Sequence, residues 1–307
     1  MEDNLRWALV TAIAPVAWGS TYFVTHEFLP ADHPLWGAVI RALPAGLLLL
    51  AVRQARPRGS WWWRSAVLGA LNTGVFFALI YLSAQLLPTS AAATIMATAP
   101  VVMMVMAWAL LAERPAAVHL AGAGLGIVGV GLMLYSGASA VDGRGVLASV
   151  AAMTLSSLGY VLAKRWGQHI DVLAATSWQL IAGGLLLVPA ALLVEGGPPA
   201  LDLPATLAFG YVTVLATALA FAAWFAGLRR LRAGTVGLIG LLNPVTGVML
   251  GTLIAAEQLT ARQVVGLALV LVGVLAGQPA VTARLEGWWR SRPAGSRLAA
   301  ATPARCR

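Results

Sequence analysis

The sequence predicts an all-α membrane protein of ten transmembrane helices, arranged as two inverted five-helix repeats. Three observations carry this. Hydrophobic residues make up 60% of the chain and charged residues only 10%, against about 25% charged in soluble domains. The apolar residues gather into ten runs long enough to cross a bilayer, joined by short connections rich in Pro, Gly and charge. Markers of helix ends in the first half recur at a near-constant offset in the second. A chain of 307 residues would ordinarily suggest two soluble domains, but with a mean hydropathy of +0.83 it has too few charges to cover a water-facing surface.

A hydrocarbon core of about 30 Å calls for roughly 20 apolar residues per helix. The first run, 7–25, follows Arg6 and holds Pro15 and Trp18. It is longer than a signal-peptide core and nine more runs follow it, so it reads as an uncleaved first helix. Runs 35–52, 63–84, 90–112 and 118–136 complete the first half, and 145–164, 172–194, 204–228, 235–256 and 263–279 form the second. Membrane β-strands are excluded, because those are alternating segments of about 10 residues. These runs divide the chain into a first repeat over 1–140, a second over 141–279 and a basic tail over 280–307. The tail sets Trp288 and Trp289 among arginines, a composition that suits an interface with anionic lipid headgroups.

Orientation follows from the basic residues, which concentrate on the cytoplasmic side of membrane proteins. With the N-terminus inside, 17 of the 20 Lys and Arg lie in cytoplasmic segments; Arg144 and Arg262 lie outside and Arg41 within a span. Both termini are then cytoplasmic. In the repeat, an offset of 144 places Pro100 on Pro244, Glu113 on Glu257, Gly122 on Gly266 and Gly129 on Gly273. Nearer the N-terminus the offset is 138, placing Tyr22 on Tyr160 and Arg41 on Gln179. Five spans per repeat force the second copy to start on the opposite side. Inverted repeats of this kind recur in secondary transporters, with the substrate site near the midplane between the halves.

The same residues resemble a known group, the EamA-type members of the drug/metabolite transporter superfamily. The resemblance rests on Trp18-Gly19-Ser20, Arg41, Thr89-Ser90-Ala91-Ala92, Ala99-Pro100-Val101 and Glu113-Arg114, echoed by Asn243-Pro244-Val245, Glu257-Gln258-Leu259 and the stretch from Gly266 to Gly273. It spans nearly all of 7–279. It implies ten helices with cytoplasmic ends, the first four of each repeat lining a central cavity, and mostly export of amino acids, metabolites or drugs. One departure is that Ala112 and Ala256 stand where the family often has Gly before the paired glutamates.

Arg41 is the only ionisable residue well inside a span, where a charge costs about 2.5–3.5 kcal/mol on insertion scales. It is a candidate for gating or substrate contact, with snorkelling to the headgroups as the plainer reading. Glu113 and Glu257, paired by the repeat, are the other gating or ion-pair candidates. A glutamate at a helix C-terminus opposes the dipole, so a local partner such as the next helix's N-terminus is expected to offset it. Polar and aromatic residues inside the cavity-lining spans form the substrate-site set: Trp18, Tyr22, Asn72, Tyr81, Tyr160, Gln179, Thr213, Thr217, Trp224 and Asn243. Such a set of few polar groups in apolar walls is usual for a small-molecule pocket; interhelical hydrogen bonding is the structural alternative. Pro100 and Pro244 each remove a helical hydrogen bond, giving paired kinks.

No catalytic constellation appears, and no metal cluster; the single cysteine, Cys306, excludes an intrachain disulfide. Gly124, Gly126 and Gly129 spell a dinucleotide fingerprint, but inside an apolar span they lack the preceding strand it needs. Helix packing explains them better. No buried carboxylate or imidazole offers a proton relay. The expected function is therefore secondary transport of a small organic solute across a bacterial inner membrane by alternating access, most simply export. Uptake, or a membrane scaffold or sensor without flux, are the alternatives. The expected partners are the solute and membrane lipids. No nucleic acid and no cofactor is expected, and monomer and homodimer are both open.

Overall fold

The computed structural model describes residues 2–28, 32–87, 89–134, 142–254 and 260–278. Glu257, Ala256, the 280–307 tail and Cys306 lie outside these residues, as does the side chain of Tyr22. All regular structure within them is helical: α1 (Glu2–Phe28), α2 (Pro34–Arg53), α3 (Trp61–Gly69), α4 (Val75–Leu86), α5 (Thr89–Met96), α6 (Ala99–Leu111), α7 (Ala117–Leu134), α8 (Gly143–Trp166), α9 (Val172–Val194), α10 (Leu203–Thr213), α11 (Ala220–Arg230), α12 (Ala233–Gly240), α13 (Leu242–Ile254) and α14 (Ala261–Ala276). Two π-helical segments, Ala70–Gly74 and Val214–Leu219, join α3 to α4 and α10 to α11 into single long rods.

Among the described residues, eight helical stretches are long and apolar enough to cross a membrane. The sequence expectation of ten rests for the other two on α1 and the sixteen-residue α14. The outward faces of the spans carry large apolar side chains such as Leu147, Leu193, Leu207 and Leu253. Large apolar side chains exposed in this number are foreign to a water-facing surface and suit lipid tails.

Local sequence sets where the helices begin. Asp142, Asp171 and Asp202 each sit just before a helix and accept from the backbone N–H of Arg144, Ala174 and Ala205, satisfying donors that helix starts leave orphaned. Thr260 and Gln263 form a reciprocal capping box at α14. The run at 90–112, expected as one helix, is instead broken by a turn at Ala97–Thr98. Thr98 donates its hydroxyl to Ile95 O there at 2.7 Å. Pro100 thus stands in the first turn of α6, where its missing N–H costs nothing. The paired break at Leu241 precedes α13, whose third residue is Pro244.

Two helix pairs pack most extensively, α2 on α9 and α7 on α14. In the second pair, backbones touch through glycine. A methyl group added at Gly122 would stand 2.7 Å from Gly273 O, and one at Gly129 would stand 2.6 Å from Gly266 O. The reverse additions, at Gly273 and Gly266, would meet Gly122 O and Gly129 O. Of the dinucleotide-like string only Gly129 belongs squarely to this seam, facing Gly266; Gly126 meets Leu241, and Gly124 faces open space. The α2–α9 pair is fastened at both ends. Glu195 accepts from Leu35 N at 2.6 Å and Trp36 N at 2.8 Å. At the other end Arg53 pairs with Asp171 at 2.6 Å. Burial pushes the Asp171 carboxyl up, but hydrogen bonds from Arg53 and from Ala174 N outweigh it and hold the group below its ordinary value.

Candidate functional site: a node across the bundle and a closed basic end

The two π segments lie at the centre of the site. Ala70 and Val214 are separated by the same 144 residues as the paired prolines and glutamates. A π turn interrupts the regular ladder and leaves backbone groups to find other partners; such turns recur at functional sites. Here Ala216 O accepts from Trp18 Nε1 at 3.1 Å and from an Arg41 guanidinium nitrogen at 3.3 Å. The adjacent Thr217 hydroxyl accepts from Arg41 Nε at 3.0 Å and donates to Val212 O at 2.8 Å. The Arg41 guanidinium also lies 5.3 Å from the centre of the Phe77 ring, a cation–π distance. Arg41 therefore does not snorkel along α2; its stem turns across the bundle onto the π segment of α10–α11.

The other π segment carries Asn72 and Thr73, both fully buried. Asn72 donates to Gln179 Oε1 at 2.8 Å. Its carbonyl oxygen has no hydrogen-bond partner and faces Gly159 of α8, where a Cβ would collide with it. Thr213 donates to Ile40 O at 3.4 Å. Four pairs of sequence candidates thus meet: Arg41 with Thr217, Asn72 with Gln179, Tyr160 with Trp224, and Trp18 with Trp224.

The last pair belongs to an aromatic cluster. Trp18 packs on Phe221 at 5.2 Å and on Trp224 at 5.3 Å, and Tyr160 packs on Trp224 at 5.4 Å and on Phe225 at 5.9 Å. Trp224 lies eight residues beyond Ala216, about 12 Å along the rod, towards the end where the α2–α3, α6–α7, α8–α9 and α11–α12 connections gather. That end holds Arg56, Arg58, Arg64, Arg114, Arg165, Arg229, Arg230 and Arg232, and is called here the basic end. Beside the cluster lies a water-sized cavity of ≈ 20 Å³ with Gln179, Thr176, Phe225 and Lys164 in its walls. Tyr81, by contrast, accepts from Gln85 on its own helix at 2.7 Å, near the opposite end. Asn243 is half-buried on α13, with its carbonyl against Gly19.

The basic end is closed by a charged network. Glu113, just past α6, pairs with Lys164 of α8 at 2.6 Å and accepts from Ala233 N, the first residue of α12, at 2.9 Å. Lys164 also donates to Leu231 O at 2.6 Å. The Glu113 and Lys164 side chains are only 21% and 14% exposed. Arg232 reaches Arg114 O, and Arg229 reaches Ile170 O and Gln168 O. The dipole conflict at Glu113 is thus relieved, but by the N-terminus of distant α12 and by Lys164, not by the following helix. Lys164 was missed as a candidate because it read as one more cytoplasmic charge; its being the chain's one lysine was the available signal. Against the expectation of no buried imidazole, His119 is buried, with Nε2 3.2 Å from Thr235 Oγ1.

Ala112, between α6 and Glu113, has φ 57°. That left-handed conformation costs an L-residue about 1 kcal/mol and costs glycine nothing. Ala112→Gly is therefore expected to raise stability by about 1 kcal/mol, read as a higher unfolding temperature in detergent without loss of the Glu113–Lys164 pair.

The opposite end is arranged differently. Among the described residues, α4 and α5 pack on α8, and α1 packs on α13, but α4 and α5 make at most slight contact with α13. Ser20 and Tyr211 share a 2.5 Å hydrogen bond on the α1–α10 side of this gap.

Comparison with known proteins agrees with this architecture. A model of the "EamA-like transporter family" matches twice, over residues 5–135 and 143–276. Protein PecM of Dickeya dadantii (strain 3937) is 35% identical over 264 residues, covering 85% of this chain and 89% of that protein. The uncharacterized inner membrane transporter YedA of Escherichia coli K12 is 26% identical over 269 residues, covering 85% and 86%. One solved crystal structure superposes with a TM-score of 0.79 at 19% identity, covering 90% of this chain and 99% of that one.

Proposed function

This chain belongs to the EamA-like transporter family, and on that premise we propose that it is a secondary transporter moving a small organic solute outward across a bacterial inner membrane by alternating access. The proposed architecture is ten spans in two inverted repeats, 1–140 and 141–279, with the basic end and both termini in the cytoplasm. The cross-pairing of glycines supports a two-fold relation: Gly122 and Gly266 correspond in sequence, as do Gly129 and Gly273, yet Gly122 meets Gly273 and Gly129 meets Gly266. Equivalent residues exchange partners in this way across a two-fold axis.

One observation carries the transport reading: among the described residues the bundle is sealed at the basic end by the Glu113–Lys164–α12 network, whereas at the other end α5 and α13 make at most slight contact. A chain closed on one side and parted on the other is one state of an alternating-access cycle. In that state the node of Arg41, Thr217, Ala216 O and Trp18 forms the floor of the parted side, with the aromatic cluster beneath it. Among the described residues this side offers one fixed cation inside the spans, Arg41, beside a few neutral polar groups, which favours neutral or zwitterionic solutes over multiply charged ones.

Reconstitution into liposomes tests this, with a panel of amino acids, nucleosides and cationic dyes. Counterflow of at least one class is expected, and Arg41→Ala is expected to cut it at least tenfold, about 1.4 kcal/mol, with folding intact. No flux of any class in demonstrably folded protein would refute transport. Unchanged flux in Arg41→Ala would remove Arg41 from the site.

A further inference from the structure

The start of α3 carries three consecutive tryptophans followed by an arginine, Trp61-Trp62-Trp63-Arg64, in a turn of the basic end remote from the node. Trp61 is buried and fixed: its ring lies 5.6 Å from that of Trp178, which donates Nε1 to Ala55 O at 2.8 Å. Trp63 packs edge-on against Trp166 at the end of α8, with ring centres 5.2 Å apart. These three rings cage the Arg64 guanidinium, which stands 5.9 Å from Trp61, 5.6 Å from Trp63 and 5.5 Å from Trp166.

The cage holds the cation but does not satisfy its donors. Arg64 Nε is buried and has no hydrogen-bond partner, a costly arrangement for a charged group. Among the described residues the carboxylates of this end are engaged elsewhere, Asp171 by Arg53 and Glu113 by Lys164. Arg56, Arg58 and Arg165, close in the chain to the cage, are exposed. Trp62 and Trp63 present 66% and 52% of their surface outward, as aromatic residues do at a bilayer interface.

We propose that this cage is a binding site for the phosphate headgroup of an anionic phospholipid. A planar guanidinium pre-oriented by three rings offers two parallel donors to phosphate oxygens, and the exposed Trp62 and Trp63 rings lie where the acyl chains of that lipid begin. The neighbouring arginines add the long-range attraction that draws anionic over zwitterionic headgroups. The phosphate would take the terminal guanidinium nitrogens, leaving the buried Nε to the cage, and it ties the start of α3, and so the rod carrying Asn72, to the membrane surface.

Native mass spectrometry of the full chain in detergent tests this, with phosphatidylglycerol or phosphatidylcholine added. Wild type is expected to retain phosphatidylglycerol in preference to phosphatidylcholine. Arg64→Gln should weaken that retention about five-fold, the weight of one basic residue near an anionic surface. Trp63→Leu, which opens the cage and keeps the charge, should weaken it in the same direction and serves where Arg64→Gln does not fold. Equal retention by wild type and the folded variants overturns the proposal, as does equal retention of the two lipids. Displacement of the lipid by inorganic phosphate alone would assign the cage to free phosphate and overturn the lipid reading.

Discussion

Gly273→Ala is expected to prise α14 from α7 and to cost about 2–3 kcal/mol, the upper part of the range for overpacking. The added methyl would meet the carbonyl oxygen of Gly122, a backbone atom that cannot rotate aside. Gly129→Ala would meet Gly266 O at 2.6 Å and should cost a similar amount. Gly124→Ala and Gly131→Ala, on the same helix with nothing within 4 Å, should be neutral or slightly stabilising. Thermal unfolding of the four variants in one detergent checks the pattern. A Gly273→Ala variant as stable as Gly124→Ala would show that the seam is not close-packed.

The second large effect is expected at Lys164. Lys164→Met leaves the Glu113 carboxylate four-fifths buried beside α12 without its cation and frees Leu231 O. Breaking a fully buried pair from one side costs about 3–5 kcal/mol. With both side chains partly exposed, about 2 kcal/mol is expected here. The reversed pair, Glu113→Lys with Lys164→Glu, should recover little of the loss. Glu113 also accepts from Ala233 N at the positive end of α12, where a lysine would be repelled and could accept nothing. A double-mutant cycle by thermal unfolding checks this: full recovery in the reversed pair would reduce the network to a simple ion pair and remove the helix-capping role of Glu113.

The spans were legible because lipid imposes long apolar runs that loops cannot share, so the bounds of α2, α8 and α9 follow closely from hydropathy. The break inside 90–112 was not, because hydropathy is blind to a turn whose residues are themselves apolar. Proline was read as a kink within a helix; at Pro100 it instead opens a new one. Arg41 stood out by the cost of burying a charge, and its partner Thr217 was among the polar candidates. The oxygen it shares with Trp18 belongs to Ala216, and no side-chain chemistry marks an alanine whose backbone is the functional group. Lys164 and Glu113 were each visible, yet their meeting depends on how α6 and α8 pack, which a single chain of letters does not encode. The preference for glycine before Glu113, by contrast, acquires a cause: the residue there takes a left-handed backbone, and this chain holds alanine in it.

A π turn is an α-helical turn with one residue too many. The surplus shifts every following side chain around the axis by about 100°, so one rod presents two unrelated faces, one before the turn and one after it. In α10–α11 the residues after the turn, Phe221 and Trp224, join the aromatic cluster around Trp18. Removing a residue from Val214–Leu219 would restore an unbroken α-helical ladder and turn Ala216 O away from Arg41 and Trp18. The segment is thus a stored insertion, and its Ala216 O is the atom on which Trp18 and Arg41 both close from the first half of the chain.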